Sequence, residues 1–212
     1  MPRSEHIVSS EYSYHIGCRG NNKERYPLPL DTVWKVMCDY IWLTNMKYDL
    51  IVKSFVLMPN HFHMEVITPN ANLSECMQYF MCNTSKEINK LSNRINHIHG
   101  SRYFRCLIDN SFYAKHVYKY IYQNPVKAGL CKLVEEYKYS TLAMYLGLTP
   151  ITIPLHKDLE IIRNTDWTLD WLNSPIDEHN WSELKSALRR PSLAFSVNRI
   201  TKRKSDLILK LL

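Results

Sequence analysis

The sequence predicts an α+β fold of the split β-α-β, ferredoxin-like type. Alternating apolar residues typical of β-strands recur four times, and apolar residues at three-and-four spacing typical of helices lie between them. The order along the chain is strand, helix, strand, strand, helix, strand. This order predicts one sheet with both helices on one face, which leaves the other face free for a site.

The first half of this pattern runs from residue 12 to residue 58. Residues 12–18 alternate and are rich in aromatic and β-branched side chains, so they are predicted as the first strand. Residues 32–47 repeat apolar side chains at helical spacing, and Asp31 is placed to cap that helix. Residues 50–58 are β-rich and predict the second strand.

The second half begins with a Pro-Asn pair, which predicts a hairpin turn. Residues 61–68 form the third predicted strand. A longer helix is predicted over residues 73–97, with Asn72 or Ser74 able to cap it. Residues 102–108 predict the fourth strand.

Two histidines stand two residues apart on the third strand. Because side chains of a strand alternate between faces, His61 and His63 should project from one face and the apolar residues beside them from the other. Two imidazoles on one face can share a metal ion, although this spacing also fits two ordinary histidines on a half-exposed strand. Glu65 continues the same face and is a candidate for contacts behind the histidines.

A last helix of this unit is predicted over residues 112–124, and Pro125 with Gly129 should end it. Tyr120 and Asn124 are four residues apart on it, so they are neighbours on one face. His116 lies one turn before Tyr120 on that face, where it could act as a proton acceptor, a further ligand or a bystander.

Three motifs occur together in a recognisable order. They are Arg19-Gly20-Asn21-Asn22, the run Met58-Pro59-Asn60-His61-Phe62-His63, and the run from Tyr120 to Leu130 that contains Gln123-Asn124-Pro125. With them the chain resembles the single-tyrosine HUH transposases of the IS200-like family, and most closely the REP-associated tyrosine transposases. The similarity extends from about Tyr12 to about Thr141.

The resemblance implies a chemistry and a placement of its residues. Tyr120 would attack a phosphodiester of single-stranded DNA at a REP-like hairpin, forming a 5′-phosphotyrosyl intermediate and releasing a 3′-hydroxyl. His61, His63 and Asn124 would hold a divalent cation, Mg²⁺ or Mn²⁺. The helix that carries Tyr120 would then lie across the open face of the sheet.

Contacts with DNA are expected from basic and amide side chains, because the net charge of +7 suits a polyanionic partner. Other interpretations remain open for them: the loop at 19–22 could be a solvent-exposed turn, and Arg102 and Arg105 could belong to a strand that only packs in the fold. The candidates are Arg19, Asn21, Asn22, Arg102, Arg105 and Lys127.

Two other functions fit the same residues. The chain could be a catalytically silent, domesticated protein that only binds DNA hairpins, or a metal-dependent nuclease in which water replaces tyrosine as the nucleophile. The sequence also leaves open whether the protein is a monomer or a homodimer that exchanges the tyrosine helix.

Residues 1–148 are predicted to form the transposase domain, and residues 149–212 a mostly helical, basic C-terminal extension. Short helices are expected at 158–163, 166–173 and 182–189, and a basic arm at 192–212. Scattered cysteines, no apolar leader and no long apolar run lead us to expect a cytoplasmic protein with no membrane association. The resemblance implies in addition a bacterial protein that acts at the nucleoid.

Overall fold

A computed structural model describes residues 7–156 and 164–193, and within them the predicted order of elements is present. The strands are β1 (Ser13–Arg19), β2 (Ile51–Met58), β3 (His61–Ile67) and β4 (Phe104–Ile108). The helices are α1 (Leu30–Tyr48), α2 (Leu73–Ser92), α3 (Ser111–Lys127), α4 (Thr141–Tyr145), α5 (Thr165–Asn173) and α6 (Glu178–Ala187). The helix predicted at 158–163 and nearly all of the basic arm lie outside the described residues.

The sheet is antiparallel with the strand order β2-β3-β1-β4, which confirms the split β-α-β arrangement. Helices α1 and α2 pack on one face of it, as predicted. That face is apolar because β1 and β3 each contribute their alternate residues to it. Its fully buried side chains include Ile16, Phe62, Met64 and Val66 from the sheet, Val33 and Ile41 from α1, and Met77 and Phe80 from α2.

A β-bulge keeps β2 in phase with this core. Val52 pairs with Val66 and Ser54 pairs with Glu65, so Lys53 is an extra residue on the β2 side. The extra residue shifts the alternation by one position, so that Phe55 joins Val52 in the core. Lys53 Nζ bonds Glu65 Oε1 at 2.9 Å, which ties the bulge to the neighbouring strand.

The second face is covered more fully than the sequence analysis expected. Helix α3 lies across it, in agreement with the resemblance, and α5 and α6 pack against α3 to form a second apolar cluster. This face is itself partly apolar, so leaving it open would expose Val56, Met58 and Ile108 to water. A cleft remains where β1 and β3 carry polar side chains.

Both outer edges of the sheet are paired by later segments of the chain. Leu57 N donates to Tyr139 O at 3.0 Å on the β2 side. On the β4 side Leu107 N donates to Pro191 O at 2.9 Å, and Leu193 N donates back to Leu107 O at 2.8 Å. The second pair joins residues 191–193 of the C-terminal extension directly to the sheet.

Several predicted boundaries were wrong. Asp31 does not cap α1: the helix begins at Leu30 after Pro29, and Asp31 accepts from Lys138 Nζ at 2.8 Å instead. Helix α2 ends at Ser92 rather than near residue 97, because Asn93 adopts a left-handed conformation with φ of 52°. Helix α3 continues through Pro125 to Lys127, since a proline close to a helix end disrupts few backbone hydrogen bonds.

Every helix within residues 7–156 and 164–193 is too short or too polar to cross a lipid bilayer.

Candidate functional site

The two histidines of β3 project from its second face. Their ring centroids are 5.1 Å apart and the rings are nearly perpendicular. His61 Nδ1 lies 2.6 Å from Asn60 Oδ1, and the Asn60 amide nitrogen donates to the Lys23 carbonyl at 2.8 Å. This orientation makes Asn60 Oδ1 an acceptor, so His61 carries its proton on Nδ1 and keeps a free lone pair on Nε2. Binding of a metal through Nε2 needs that tautomer.

Both imidazoles are neutral near pH 7. Burial lowers the pKa of His61 to about 4, and the charges of Arg19 and Lys185 act in the same direction. Burial is also the first cause of the lowered pKa of His63, with the neighbouring imidazoles and the same two cations adding to it. Because only the neutral imidazole binds a metal, both side chains are in the competent charge state.

Helix α3 brings Tyr120 and Asn124 to the same place in the same chain. The Tyr120 ring centroid is 5.7 Å from that of His63, and the two rings meet edge to face. Asn124 Nδ2 donates to the Tyr120 carbonyl at 2.7 Å, a bond that fixes the amide on its helix. Asn124 lines the same cleft as Tyr120 and the two histidines.

Tyr120 is buried, with an exposed fraction of 4%. Burial raises the pKa of its phenol to about 12, while Asn124 and the charges of Arg189 and Arg19 partly oppose this. The Trp181 ring from α6 covers the phenol at a centroid distance of 4.6 Å. The nucleophile proposed by the resemblance therefore lies under an indole that the sequence analysis did not connect with the site.

These residues line one cleft of about 490 Å³. Its lining joins the β1–β3 face, the end of α3 and the exposed side of α6. The lining side chains that carry a positive charge are Arg19, Lys23, Lys127, Lys185 and Arg189. No acidic side chain lines the cleft within the described part of the chain, so the cleft favours an anionic ligand.

The loop after β1 places part of the predicted DNA-contact set at the cleft. Gly20 N donates to Asn60 O at 2.7 Å, and a Cβ added at Gly20 would lie 2.8 Å from the Glu24 carbonyl. Only glycine allows this close approach, which holds the loop against the histidine turn. Arg19 and Asn22 consequently line the cleft, whereas Asn21 lines a small pocket on the far side of the loop.

Arg102 and Arg105 lie outside the cleft, in a neighbouring groove of about 1130 Å³ between β4 and α2 that we call the side groove. The two concavities share Phe104 and Arg189, and Phe104 is 54% exposed between them. Lys127 lines the cleft and forms an ion pair with Glu178 of α6.

Glu65 and His116 were candidates for contacts behind the ligands, and neither lines the cleft. Glu65 Oε1 accepts from Ser13 Oγ at 2.7 Å and from Lys53 Nζ at 2.9 Å, so its contacts face the bulge. The His116 ring packs on Phe112 at a centroid distance of 5.0 Å. His15 of β1, which the sequence analysis did not single out, contacts His63 instead: its Nε2 lies 3.0 Å from His63 Nδ1.

Sequence reasoning gave no place in the site to Trp181, Lys185 and Arg189. Trp181 and Lys185 lie on α6 and Arg189 follows its end, and nothing in the composition of this segment indicates where it docks. Only the apolar side of α6, which carries Trp181 and Leu184 at helical spacing, could have signalled that it covers another element.

The donor set fits a divalent cation when the amide is included. Among the described residues no three His, Cys, Asp or Glu side chains are grouped closely enough to bind a metal, so His61 and His63 need a ligand of another type. The Asn124 amide, which lines the same cleft, is the third ligand that the resemblance implies. Three neutral donors leave the charge of a cation uncompensated, which favours completion by phosphate oxygens.

Residues 8–124, more than half of the chain, match the family model described as "Transposase IS200 like". The chain therefore belongs to the IS200-like transposase family, and by class it is a transposase.

Among solved structures, the chain is similar to a REP-associated tyrosine transposase bound to a REP hairpin, with a TM-score of 0.59 and 21% identity. That alignment covers 74% of this chain and 93% of the other. A putative transposase from Deinococcus radiodurans R1 aligns with a TM-score of 0.39 and 11% identity, over 55% of this chain and 92% of the other. No curated protein is significantly similar in sequence.

Proposed function

We propose that this transposase cleaves and rejoins single-stranded DNA at hairpin sequences, with Tyr120 as the nucleophile and a divalent cation as cofactor. The observation that carries the proposal is the meeting of Tyr120 with His61 and His63 in one basic cleft, built from a single chain. The solved relative with a similar fold is bound to a REP hairpin, which supports a hairpin as the substrate.

The reaction we propose is a transesterification. Tyr120 Oη attacks phosphorus, the bond from phosphorus to the 3′ oxygen breaks, and the 5′-phosphate stays attached to the tyrosine. The phenol loses a proton and the departing 3′ oxygen gains one, so a later 3′-hydroxyl can reverse the step without ATP. Arg19 and Arg189 lie where they can hold the phosphate backbone.

Residues of the cleft prepare Tyr120 for this step. A phenol with a pKa of about 12 is protonated at neutral pH, so its ionisation must be promoted locally. Arg19, Arg189 and Asn124 act in that direction. A cation held by His61, His63 and the Asn124 oxygen would polarise a phosphate oxygen and offset negative charge in the transition state, and Mg²⁺ or Mn²⁺ would suit that task.

A covalent adduct is the decisive observation. A single-stranded DNA hairpin labelled at its 3′ end should, with Mn²⁺, give a labelled protein band that survives denaturation. Tyr120→Phe should abolish the band, and Tyr113→Phe, two turns earlier on α3, should keep it. Cleavage by Tyr120→Phe without an adduct would instead identify water as the nucleophile.

A binding-only protein is the second candidate, because Tyr120 is almost fully buried and its pKa is raised. In that case the hairpin would shift in a native gel while no adduct formed with Mg²⁺ or Mn²⁺. The DNA contacts of Arg19, Asn21, Asn22, Arg102, Arg105 and Lys127 are part of the proposal for both candidates. Loss of affinity as salt rises would measure how many phosphates they contact.

A further inference from the structure

A third imidazole, His15 of β1, lies behind His63. His15 Nε2 is 3.0 Å from His63 Nδ1, and the two rings stack at a centroid distance of 5.2 Å. His15 itself is buried, with an exposed fraction of 4%. The pair is thus hydrogen-bonded away from solvent, where each proton position matters to both rings.

The strand register explains why the rings meet. Gly17 pairs with His63 and His15 pairs with Glu65, so His15 is the diagonal neighbour of His63. A Cβ added at Gly17 would lie 3.4 Å from His63 Nδ1. Because glycine has no side chain, the His63 ring can lie over β1 and reach His15.

One proton is shared between the two facing nitrogens, and its position decides what His63 can do. If His15 Nε2 donates, His63 keeps its own proton on Nε2 and has no lone pair for a metal there. If His63 Nδ1 donates, its Nε2 lone pair is free, and His15 must carry its own proton on Nδ1. His15 Nδ1 has no hydrogen-bond partner in the described part of the chain, so no second contact selects between the two states.

His61 shows what a fixed arrangement looks like. Asn60 presents an oxygen to His61 Nδ1, and that oxygen can only accept. His63 has an imidazole in the corresponding place, which can accept or donate. The two candidate ligands of one cation are therefore held by partners of different chemistry.

We infer that His15 is a positioning residue that accepts the hydrogen bond from His63 Nδ1 and so presents the His63 Nε2 lone pair to the cation. This inference deepens the proposed function and rests on it for the identity of the ligands. His15 Nδ1 then carries a buried proton with no hydrogen-bond partner among the described residues, and this costs stability.

The tautomer can be read on the wild-type protein without any substitution. Long-range ¹⁵N–¹H correlation spectra at pH 7.5 distinguish protonated from unprotonated ring nitrogens. We expect His61 and His63 both to be protonated on Nδ1 in the presence of Mg²⁺. A proton on His63 Nε2 with Mg²⁺ present would overturn the inference.

Variants of His15 give an independent measurement. His15→Gln places an amide oxygen near the position of Nε2 and keeps an acceptor, whereas His15→Phe keeps a ring and removes the acceptor. Mn²⁺ affinity, measured from the electron paramagnetic resonance signal of free Mn²⁺, should fall about 10–100-fold in His15→Phe. It should stay within about threefold of wild type in His15→Gln.

His116→Phe is the matched control, because it removes another buried imidazole without touching His63. It should bind Mn²⁺ as wild type does. Equal Mn²⁺ affinity in His15→Phe and wild type would sink the inference even if the tyrosine adduct formed. A loss of affinity in His15→Phe without any adduct in wild type would support the inference while the cleavage proposal failed.

Discussion

The two faces of β3 differ in what surrounds them although they belong to the same seven residues. Phe62, Met64 and Val66 are fully buried between the sheet and its two helices. His61 and His63, on the other face, meet imidazoles, a phenol and cationic side chains in a cleft that stays half-buried. Strand alternation therefore separates the residues that hold the fold from those that bind, and each set can be changed alone.

The largest expected effect is on the core face. Phe62→Ala should lower the free energy of unfolding by about 3–5 kcal/mol, because it removes a buried ring and leaves a cavity. Urea denaturation followed by circular dichroism measures it. At a temperature where this variant stays folded, adduct formation should remain within about threefold of wild type. A loss of adduct in the folded variant would show that the two faces are not independent.

The converse change removes both histidines from the site face. The double variant His61→Ala/His63→Ala should lose about 10²–10³-fold in the rate of adduct formation, the worth of a few kcal/mol of cation assistance. Its free energy of unfolding should fall by about 1–3 kcal/mol, because buried His15 Nε2 loses its hydrogen-bond partner. The rate is measured from adduct bands quantified in the presence of Mn²⁺. The free energy of unfolding is measured by urea denaturation without metal. Wild-type rates in this variant would remove the cation from the mechanism.

Acid should lower the free energy of unfolding through a buried histidine on the core side of the sheet. Burial lowers the pKa of His99, which packs edge-on against Phe62, to about 4. The unfolded chain binds a proton near pH 6.5 and the folded one does not, so stability falls as pH drops below about 6.5. At pH 5 this histidine alone should account for roughly 2 kcal/mol. Urea denaturation at pH 7.5 and at pH 5 should show that His99→Leu loses less stability on acidification than wild type does, by that amount.

A smaller effect concerns the cover of the site face. Burial is the main cause of the raised Tyr120 pKa, and Trp181 supplies a large part of the covering surface. Trp181→Ala should bring this pKa from about 12 toward 10. Tyrosinate formation is followed by ultraviolet absorbance as pH rises. The difference between the titrations of Trp181→Ala and Trp181→Ala/Tyr120→Phe gives the pKa of Tyr120 alone among the fourteen tyrosines. An unchanged midpoint would mean that α6 does not control the burial of the phenol.

The smallest effect on stability is expected at Gly17 of β1. Its added Cβ would make only an ordinary contact with His63, so Gly17→Ala should change the free energy of unfolding by less than about 1 kcal/mol. Gly17→Val adds two methyl groups at the same place and should push the His63 ring away from His15. Loss of Mn²⁺ affinity in Gly17→Val but not in Gly17→Ala is the expected pattern.

Periodicity made much of this arrangement predictable. The order of elements, the placement of α1 and α2 and the shared face of His61 and His63 follow from local spacing. The position of α3 across the sheet came from resemblance, since spacing does not tell which face a helix covers. Trp181 and Arg189 reach the cleft through contacts distant in sequence. The Asp31 cap was wrong because an ion pair with distant Lys138 takes that carboxylate.

The pairing of both sheet edges by the chain itself has a consequence for assembly. Tyr139 lies along β2, and Pro191 and Leu193 lie along β4. A second molecule could extend this sheet laterally after displacing one of these segments, and on the β4 side that means detaching residues 191–193, which lie close to Arg189 in the sequence. Since one molecule already supplies phenol, imidazoles and amide, association between copies through merged sheets would loosen the cleft instead of completing it.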